Sequence, residues 1–222
     1  MTGPRAYRNG QTPLRFLIAD DHGIVRHGLK ELITDAFITD LVAEVPDGRG
    51  VIDHVRSRPW DLVILDIGLP DLDGLEVLKE VKRLRPDQRV LMLSLQPEEQ
   101  YAVRALKAQA AGYVSKTRAA EDLVAAIQTI LDGRTYVSPT LAEYLARNVT
   151  RRLDGADESA LSDRELQVLS LLGRGKSVSQ IGDQLSLSVK TVSTYRANLL
   201  RKLGLTTTGE LIRYAIEHRL TE

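Results

Sequence analysis

The sequence holds no cysteine, which excludes disulfides, thiolate nucleophiles and cysteine-ligated metal centres and is compatible with a reducing compartment. It also lacks a long hydrophobic run: nothing approaches the roughly 18 apolar residues of a membrane span. The opening "MTGPRAYRNGQTP" carries Arg5 and Arg8 but no apolar core of signal-peptide length. The expectation is a soluble cytoplasmic protein with no membrane partner, preceded by a flexible tail over residues 1–12. Charge of one sign is missing too. Thirty basic residues balance thirty acidic ones, so any surface that attracts an anionic partner has to be local. His22, His27, His54 and His218 are scattered without ligand spacing, so no metal centre is expected to be built on them.

What remains is a chain of 222 residues with 43% hydrophobic content, enough for two modest domains with buried cores. From Leu14 to about Val137, the short apolar runs "LRFLIA", "DLVAEV", "DLVILD", "RVLMLS" and "AGYVS" have the length and branched content of buried strands. Between them, Ile24–Phe37, Val51–Arg56, Leu75–Leu84, Glu98–Ala110 and Ala119–Leu131 place apolar residues at helical spacing. Alternating strand and helix predicts an α/β fold with a parallel five-stranded sheet covered on both faces, in which ligands sit beyond the carboxyl ends of the strands.

The polar residues at those ends are therefore informative. Asp20 and Asp21 end the first strand, Asp66 the third, Ser94 the fourth, and Lys116 follows the fifth. Carboxylates brought together repel unless a cation neutralises them, and oxygen ligands of this kind suit Mg2+. A carboxylate beside such an ion, with an ammonium and a hydroxyl nearby, is equipped to attack phosphorus. Asp66 is the expected phosphoacceptor. Asp20, Asp21 and Asp66 are the expected metal ligands, with Lys116 and Ser94 binding the phosphoryl oxygens. The bland reading makes each residue a helix cap or strand end.

The set Asp20, Asp21, Asp66, Pro70, Gly74, Ser94, Tyr113 and Lys116 resembles the receiver domain of two-component response regulators over about residues 14 to 132. The resemblance implies a flavodoxin-like, doubly wound sheet, a histidine kinase or phosphorelay protein as phosphodonor, a backbone carbonyl from Gly68 as a further Mg2+ ligand, and Ser94 with Tyr113 as a switch pair. A phosphoryl group adds negative charge and acceptor oxygens, which would draw in Ser94 and let the Tyr113 ring turn inward. Four positions depart from the family pattern. Gly23 replaces a frequent proline, and Leu95 is larger than the small residue common beside the switch serine and would obstruct access to the phosphoryl group. Thr117 rather than proline follows Lys116, so a cis peptide there is not assured, and Gly68 offers only backbone.

After the receiver region, residues 13–137, comes a linker over 138–160. Ser138 and Pro139 predict the start of a short helix, and "LDGADESA" from Leu153 is the expected flexible boundary. From Leu161 the pattern is helical throughout. Ser162 with Glu165, Ser177 with Gln180 and Thr207 with Glu210 have capping-box spacing, and Gly173 and Gly204 are suitable stops. Four helices are predicted, at about 163–172, 178–185, 189–203 and 208–219. Only "SLS" joins the second and third, as in a helix-turn-helix.

In the third of these helices Val189, Val192, Tyr195, Leu199 and Leu203 form an expected core side, opposite Lys190, Ser193, Thr194, Ala197 and Arg201. No acidic residue lies between Asp183 and Glu210, while Lys190, Arg196, Arg201 and Lys202 are basic. Short side chains flanked by cations suit a nucleic-acid groove; a solvated surface helix is the alternative. Residues 161–222, notably "SVKTVSTYRANLLRKL", are similar to the LuxR-type DNA-binding domain, and the whole chain resembles a NarL/FixJ-type response regulator.

That resemblance implies a transcription factor and not an enzyme. Its partners would be double-stranded DNA, RNA polymerase and a second copy of the chain. Ser193, Thr194 and Ala197 would read bases, and Lys190, Thr191, Tyr195, Arg201 and Lys202 would contact phosphates. Leu211, Ile212, Ala215 and Ile216 are candidates for the dimer interface. Two other readings stay open: a regulator active without phosphate, and a Mg2+-dependent phosphohydrolase. Aspartate-nucleophile enzymes of that second kind often carry another acid two residues after the nucleophile, where this chain has Gly68.

Overall fold

The computed structural model describes residues 12–95, 98–151, 161–185, 187–218 and 220–221. The expected tail and the expected flexible boundary from Leu153 to Ala160 fall almost wholly outside these residues. The chain divides into two compact units, one running to Ser138 without Glu99–Tyr101 and the other taking those three residues with Pro139–Glu222.

The first unit alternates β1 (Leu14–Ala19), α1 (Gly23–Ala36), β2 (Thr39–Val45), α2 (Gly48–Ser57), β3 (Leu62–Asp66), α3 (Gly74–Leu84), β4 (Val90–Ser94), α4 (Glu98–Lys107), β5 (Gly112–Ser115) and α5 (Ala119–Leu131), with one 3-10 turn at Lys116–Arg118. All strand pairs are parallel, in the order β2-β1-β3-β4-β5. This is the expected doubly wound sheet. Successive strand residues face opposite sides, so both faces need apolar side chains, and β3 and β4 are buried at every position. One face is covered by α1 through Leu29 and Ile33 and by α5 through Leu123, Ala126, Ile127 and Ile130, packed with Phe16, Ile18, Leu62, Ile64, Leu91, Leu93 and Val114. The spacing of the α5 set is that of one helical stripe. Each such side chain contributes about 1.5–3 kcal/mol relative to exposure.

Two helix boundaries differ from expectation by three residues, each for a local reason. α2 begins at Gly48, three residues before the predicted start, because two aspartates satisfy its first amides. Asp47 accepts from the Gly50 N–H at 2.7 Å. Asp71, 23 residues away in sequence, accepts from Gly48 at 2.7 Å and Arg49 at 3.0 Å. α4 stops at Lys107 instead of Ala110 because Gln109 turns left-handed with φ 65° and the Ala110 N–H returns to the Ala105 carbonyl at 2.9 Å.

The second unit is helical. The helix predicted after Ser138 is α6 (Pro139–Arg151), followed by α7 (Asp163–Gly173), α8 (Val178–Leu185), α9 (Val189–Leu203) and α10 (Thr208–Glu217). The capping boxes at Ser162/Glu165 and Thr207/Glu210 form as the spacing predicts, and so do the reciprocal bonds of Ser177 and Gln180. Gly204 ends α9 in the left-handed region with φ 66°. Gly173, by contrast, is the last residue of α7, and the left-handed position falls at Gly175. A side chain at Gly173 would collide with Ala215 Cβ at 2.6 Å, so close packing of α7 on α10 is what requires glycine there. Among the described residues no helix is long and apolar enough to cross a membrane.

Candidate functional site

Register sets the first site. In the pairing of β3 with β4, Asp66 lies opposite Leu93; in that of β4 with β5, Ser94 lies opposite Ser115. The residues after β1, at the end of β3 and after β5 therefore meet on one rim. The strand order reverses between β1 and β3, and that is the point where doubly wound sheets bind ligands.

Lys116 occupies the centre of this rim. Its Nζ lies 2.6 Å from Asp20 Oδ2 and 2.7 Å from Asp66 Oδ2. Asp20 is fully buried and Asp66 nearly so. Burial pushes the Asp66 carboxyl above its ordinary value, and Asp20 adds to this, while the charge and hydrogen bond of Lys116 and the Gly68 N–H work against it. For Lys116 burial favours the neutral amine, but the attraction and hydrogen bonds of Asp66 and Asp20 together outweigh it and hold the pKa above the usual lysine range.

Asp21 stands apart. It is one-third exposed and pairs with His22, whose Nδ1 lies 2.5 Å from Asp21 Oδ1. The His22 backbone N–H donates to Asp20 Oδ1 at 2.9 Å. An ammonium thus joins Asp20 to Asp66, and an imidazole partners Asp21. The donor atoms of Asp20, Asp21 and His22 lie within 4.8 Å of one another. Asp20 Oδ2 is buried with the Lys116 ammonium 2.6 Å away. A buried carboxylate with a second carboxylate within reach, Asp20 with Asp21, fits a hard divalent cation such as Mg2+.

The remaining residues of the rim are placed as follows. Gly68 donates its N–H to Asp66. Ser94 and Tyr113 are both buried, and the Tyr113 ring lies inward. Leu95 is 61% exposed at the mouth beside Ser94. All described peptide bonds are trans, including the one after Lys116.

Three further residues support the site, and of these only Gly74 belongs to the motif read from the sequence. Arg26 donates from Nη1 to the Asp20 carbonyl at 2.6 Å, holding the acidic turn from α1. Asp71 ties the loop after Asp66 to the start of α2, and its three backbone donors, Gly48, Arg49 and Leu72, outweigh partial burial and lower its pKa. Gly74 is required by space: a Cβ there would stand 2.3 Å from the Asp66 carbonyl oxygen and 2.6 Å from Ile67 Cα.

The second site is α9. Ser188 caps it by accepting from the Thr191 N–H at 3.0 Å. The tight α8–α9 turn requires Gly182, because a side chain there would meet the Leu187 carbonyl oxygen at 2.7 Å. Val192 and Leu199 are buried, Tyr195 and Leu203 half-buried, while Lys190, Thr194, Ala197 and Arg201 are exposed. Thr191 and Ser193 are half-buried beside them.

Three expectations need correction. Val189, predicted to be core, is 53% exposed because it is the first residue of the helix and precedes the turn that packs. Lys202, predicted to contact phosphate, is committed within the protein: its Nζ donates to Glu165 Oε2 at 2.6 Å. That buried carboxylate also accepts from the Ser162 N–H at 2.7 Å. Leu211 and Ala215, proposed for a dimer interface, are fully buried in the domain's own core. Ile212 is half-buried and Ile216 is 55% exposed, so these two keep outward surface on α10.

A parallel sheet with an acid-lysine rim, followed by a capped helix-turn-helix, defines a receiver joined to a DNA-binding module. Sequence comparison agrees for both parts. Residues 16–128 match the response regulator receiver domain, and residues 159–215 match the bacterial regulatory proteins of the luxR family. The chain is 38% identical over 208 residues to the fimbriae Z protein of Salmonella typhimurium, covering 94% of this chain and 99% of that one. It is 31% identical over 208 residues to response regulator UvrY of Escherichia coli K12, covering 93% and 95%. Among solved structures it resembles RcsB of Salmonella enterica serovar Typhimurium bound to promoter P1flhDC with the phosphomimetic BeF3-, with TM-score 0.59, 25% identity and coverage of 91% and 98%. The chain belongs to the two-component response regulators of the NarL/FixJ type, which regulate transcription.

Proposed function

We propose that Asp66 accepts a phosphoryl group from the phosphohistidine of a sensor kinase or phosphorelay protein, and that the modified chain dimerises and binds promoter DNA through α9. The observation that carries this reading is the Asp66–Lys116–Asp20 arrangement: a buried carboxylate at the sheet's switch point, with its cation supplied by the chain itself.

In the transfer an Asp66 oxygen attacks phosphorus, the N–P bond of the donor breaks, and the departing imidazole keeps the bonding pair. The product is an acyl phosphate. Lys116, already 2.7 Å from the carboxylate, neutralises the oxygens that arrive, and the Ser94 hydroxyl at the end of β4 donates to one of them. Mg2+, when bound, supplies further charge neutralisation, with Asp20, Asp21 and Asp66 as its protein carboxylates and the Gly68 carbonyl as a backbone ligand. Arg26 and Asp71 keep the two acidic loops in place while the charge changes. The buried Tyr113 holds the inward position once Ser94 is drawn in.

On DNA, Lys190, Thr191, Tyr195 and Arg201 contact phosphates, and Ser193, Thr194 and Ala197 face the bases. Ile212 and Ile216 on α10 form the dimer contact, which doubles the recognition surface. RNA polymerase is the expected partner of the DNA-bound dimer.

The test is a phosphate-affinity gel of wild type and Asp66→Asn after incubation with Mg2+ and acetyl phosphate. A retarded band in wild type alone supports Asp66 as the acceptor. A band in both moves the acceptor elsewhere.

A further inference from the structure

The exposed face of α9 is short of groups that can donate to a base. Between Lys190 and Arg201 its exposed positions are Thr194 and Ala197, with Ser193, Arg196 and Asn198 half-buried, and neither exposed position carries a side chain that makes a bidentate contact to adenine or guanine. Thr194 carries a hydroxyl, but the Oγ1 proton is already used: it donates to the Lys190 carbonyl at 3.0 Å, one turn back in the same helix. A hydroxyl has one proton, and a carbonyl can only accept it. Thr194 is therefore no donor to the N7, O6 or O4 acceptors that line the major groove, and what it presents outward is its β-methyl. Ala197, three residues on and exposed, presents another methyl on the same face.

We infer that α9 selects its site by methyl contact, Thr194 and Ala197 packing against the C5-methyl groups of thymines in the major groove, with Lys190 and Arg201 gripping the flanking backbone. This rests on the DNA-binding reading above and names what that surface recognises. Thymine's methyl is the one apolar group that the bases show in that groove, and threonine and alanine side chains are suited to meet it. The back-bond fixes the Thr194 rotamer before binding, so the methyl is presented without further ordering.

The inference separates from a hydrogen-bonding role through two isosteric changes. Thr194→Val keeps the methyl and removes the hydroxyl; Thr194→Ser does the reverse. Both are at an exposed position and leave the core untouched. The experiment uses the full chain with acetyl phosphate and Mg2+ to enrich duplexes from a random pool. The enriched site is then resynthesised with deoxyuridine in place of each thymine in turn, which deletes the methyl and leaves every hydrogen-bonding edge intact.

Wild type is expected to lose about fourfold in affinity for each contacted methyl, the burial of one methyl-sized group. Thr194→Val is expected to bind like wild type and to remain uracil-sensitive. Thr194→Ser is expected to lose about fourfold on the thymine duplex and to show no further loss at one particular uracil position. A site insensitive to uracil throughout, or Thr194→Val weakened while Thr194→Ser binds normally, overturns the methyl reading alone. Failure to enrich any duplex with the phosphodonor present or absent overturns the DNA-binding reading beneath it.

Discussion

Lys116 Nζ lies 2.7 Å from Asp66 Oδ2, and the same nitrogen lies 2.6 Å from Asp20 Oδ2. One ammonium thus joins the ends of two neighbouring strands, β1 and β3, whose carboxylates are buried and would otherwise repel. This is the relationship on which the receiver's chemistry and part of its stability both depend.

Removing the ammonium leaves two buried carboxylates without a counter-ion. We expect Lys116→Met, which keeps the apolar stem, to destabilise the chain by about 3 kcal/mol in metal-free buffer. Millimolar Mg2+ should restore more stability to this variant than it adds to wild type, because the ion replaces the missing charge. Urea unfolding with and without Mg2+ measures both effects.

Asp66 itself carries a cost. Its folded pKa is raised, chiefly by burial, so ionising it costs more in the folded chain than in the unfolded one. The contribution of this group to stability is full below its unfolded pKa of about 3.9 and is lost as pH rises through the higher folded value. Asp66→Asn has no such loss. In metal-free buffer it should unfold at a higher urea concentration than wild type at neutral pH, with the difference shrinking as pH falls toward about 4.

Much of this site was legible in the sequence because each chemical group ends a strand, and strand ends in a parallel sheet converge. Asp20, Asp66, Ser94 and Lys116 could be placed on one rim from the alternation of apolar runs alone. The partner of each was not legible. That Asp21 would take His22, and Lys116 would bridge Asp20 to Asp66, depends on side-chain directions. Arg26 was invisible because a surface arginine on a helix has no signature until its carbonyl partner is known. The early start of α2 was not legible because it depends on Asp71, which accepts from the Gly48 amide 23 residues away and from that of Arg49. Capping boxes, being local, were read correctly. In the second unit Leu211 and Ala215 fit an interface by pattern, but an apolar stripe does not say whether it faces its own core or another chain.

Lys202 and Lys190 are both basic and both on α9, but they should fail differently. Lys202 holds Glu165, whose pKa is lowered because Lys202 and the Ser162 amide together outweigh its burial. That stabilising contribution is present above the unfolded pKa of about 4.3 and fades as pH falls through the lower folded value. Lys202→Met should cost about 1–3 kcal/mol of stability while leaving the salt dependence of DNA binding unchanged. Lys190→Met should leave stability unchanged and reduce the slope of log affinity against log salt by about one per contact. Thermal unfolding and binding titrations at several salt concentrations separate the two.

On α10 the exposed and buried apolar residues should likewise diverge. Ile216→Glu should leave monomer stability within about 0.5 kcal/mol and abolish cooperative dimer formation on DNA, read by sedimentation of the protein–DNA complex. Leu211→Ala, in the core, should cost about 2–5 kcal/mol and unfold the domain before any effect on dimerisation can be seen.

The central claim is that a phosphoryl group on Asp66 governs DNA binding. Its most direct test is a fluorescence-anisotropy titration of one enriched duplex with wild type and with Asp66→Asn, each in Mg2+ with and without acetyl phosphate. The account predicts tighter binding by wild type when the phosphodonor is present and no response in Asp66→Asn. Equal, donor-independent affinity in both proteins would contradict it and leave a DNA-binding regulator that works without phosphate.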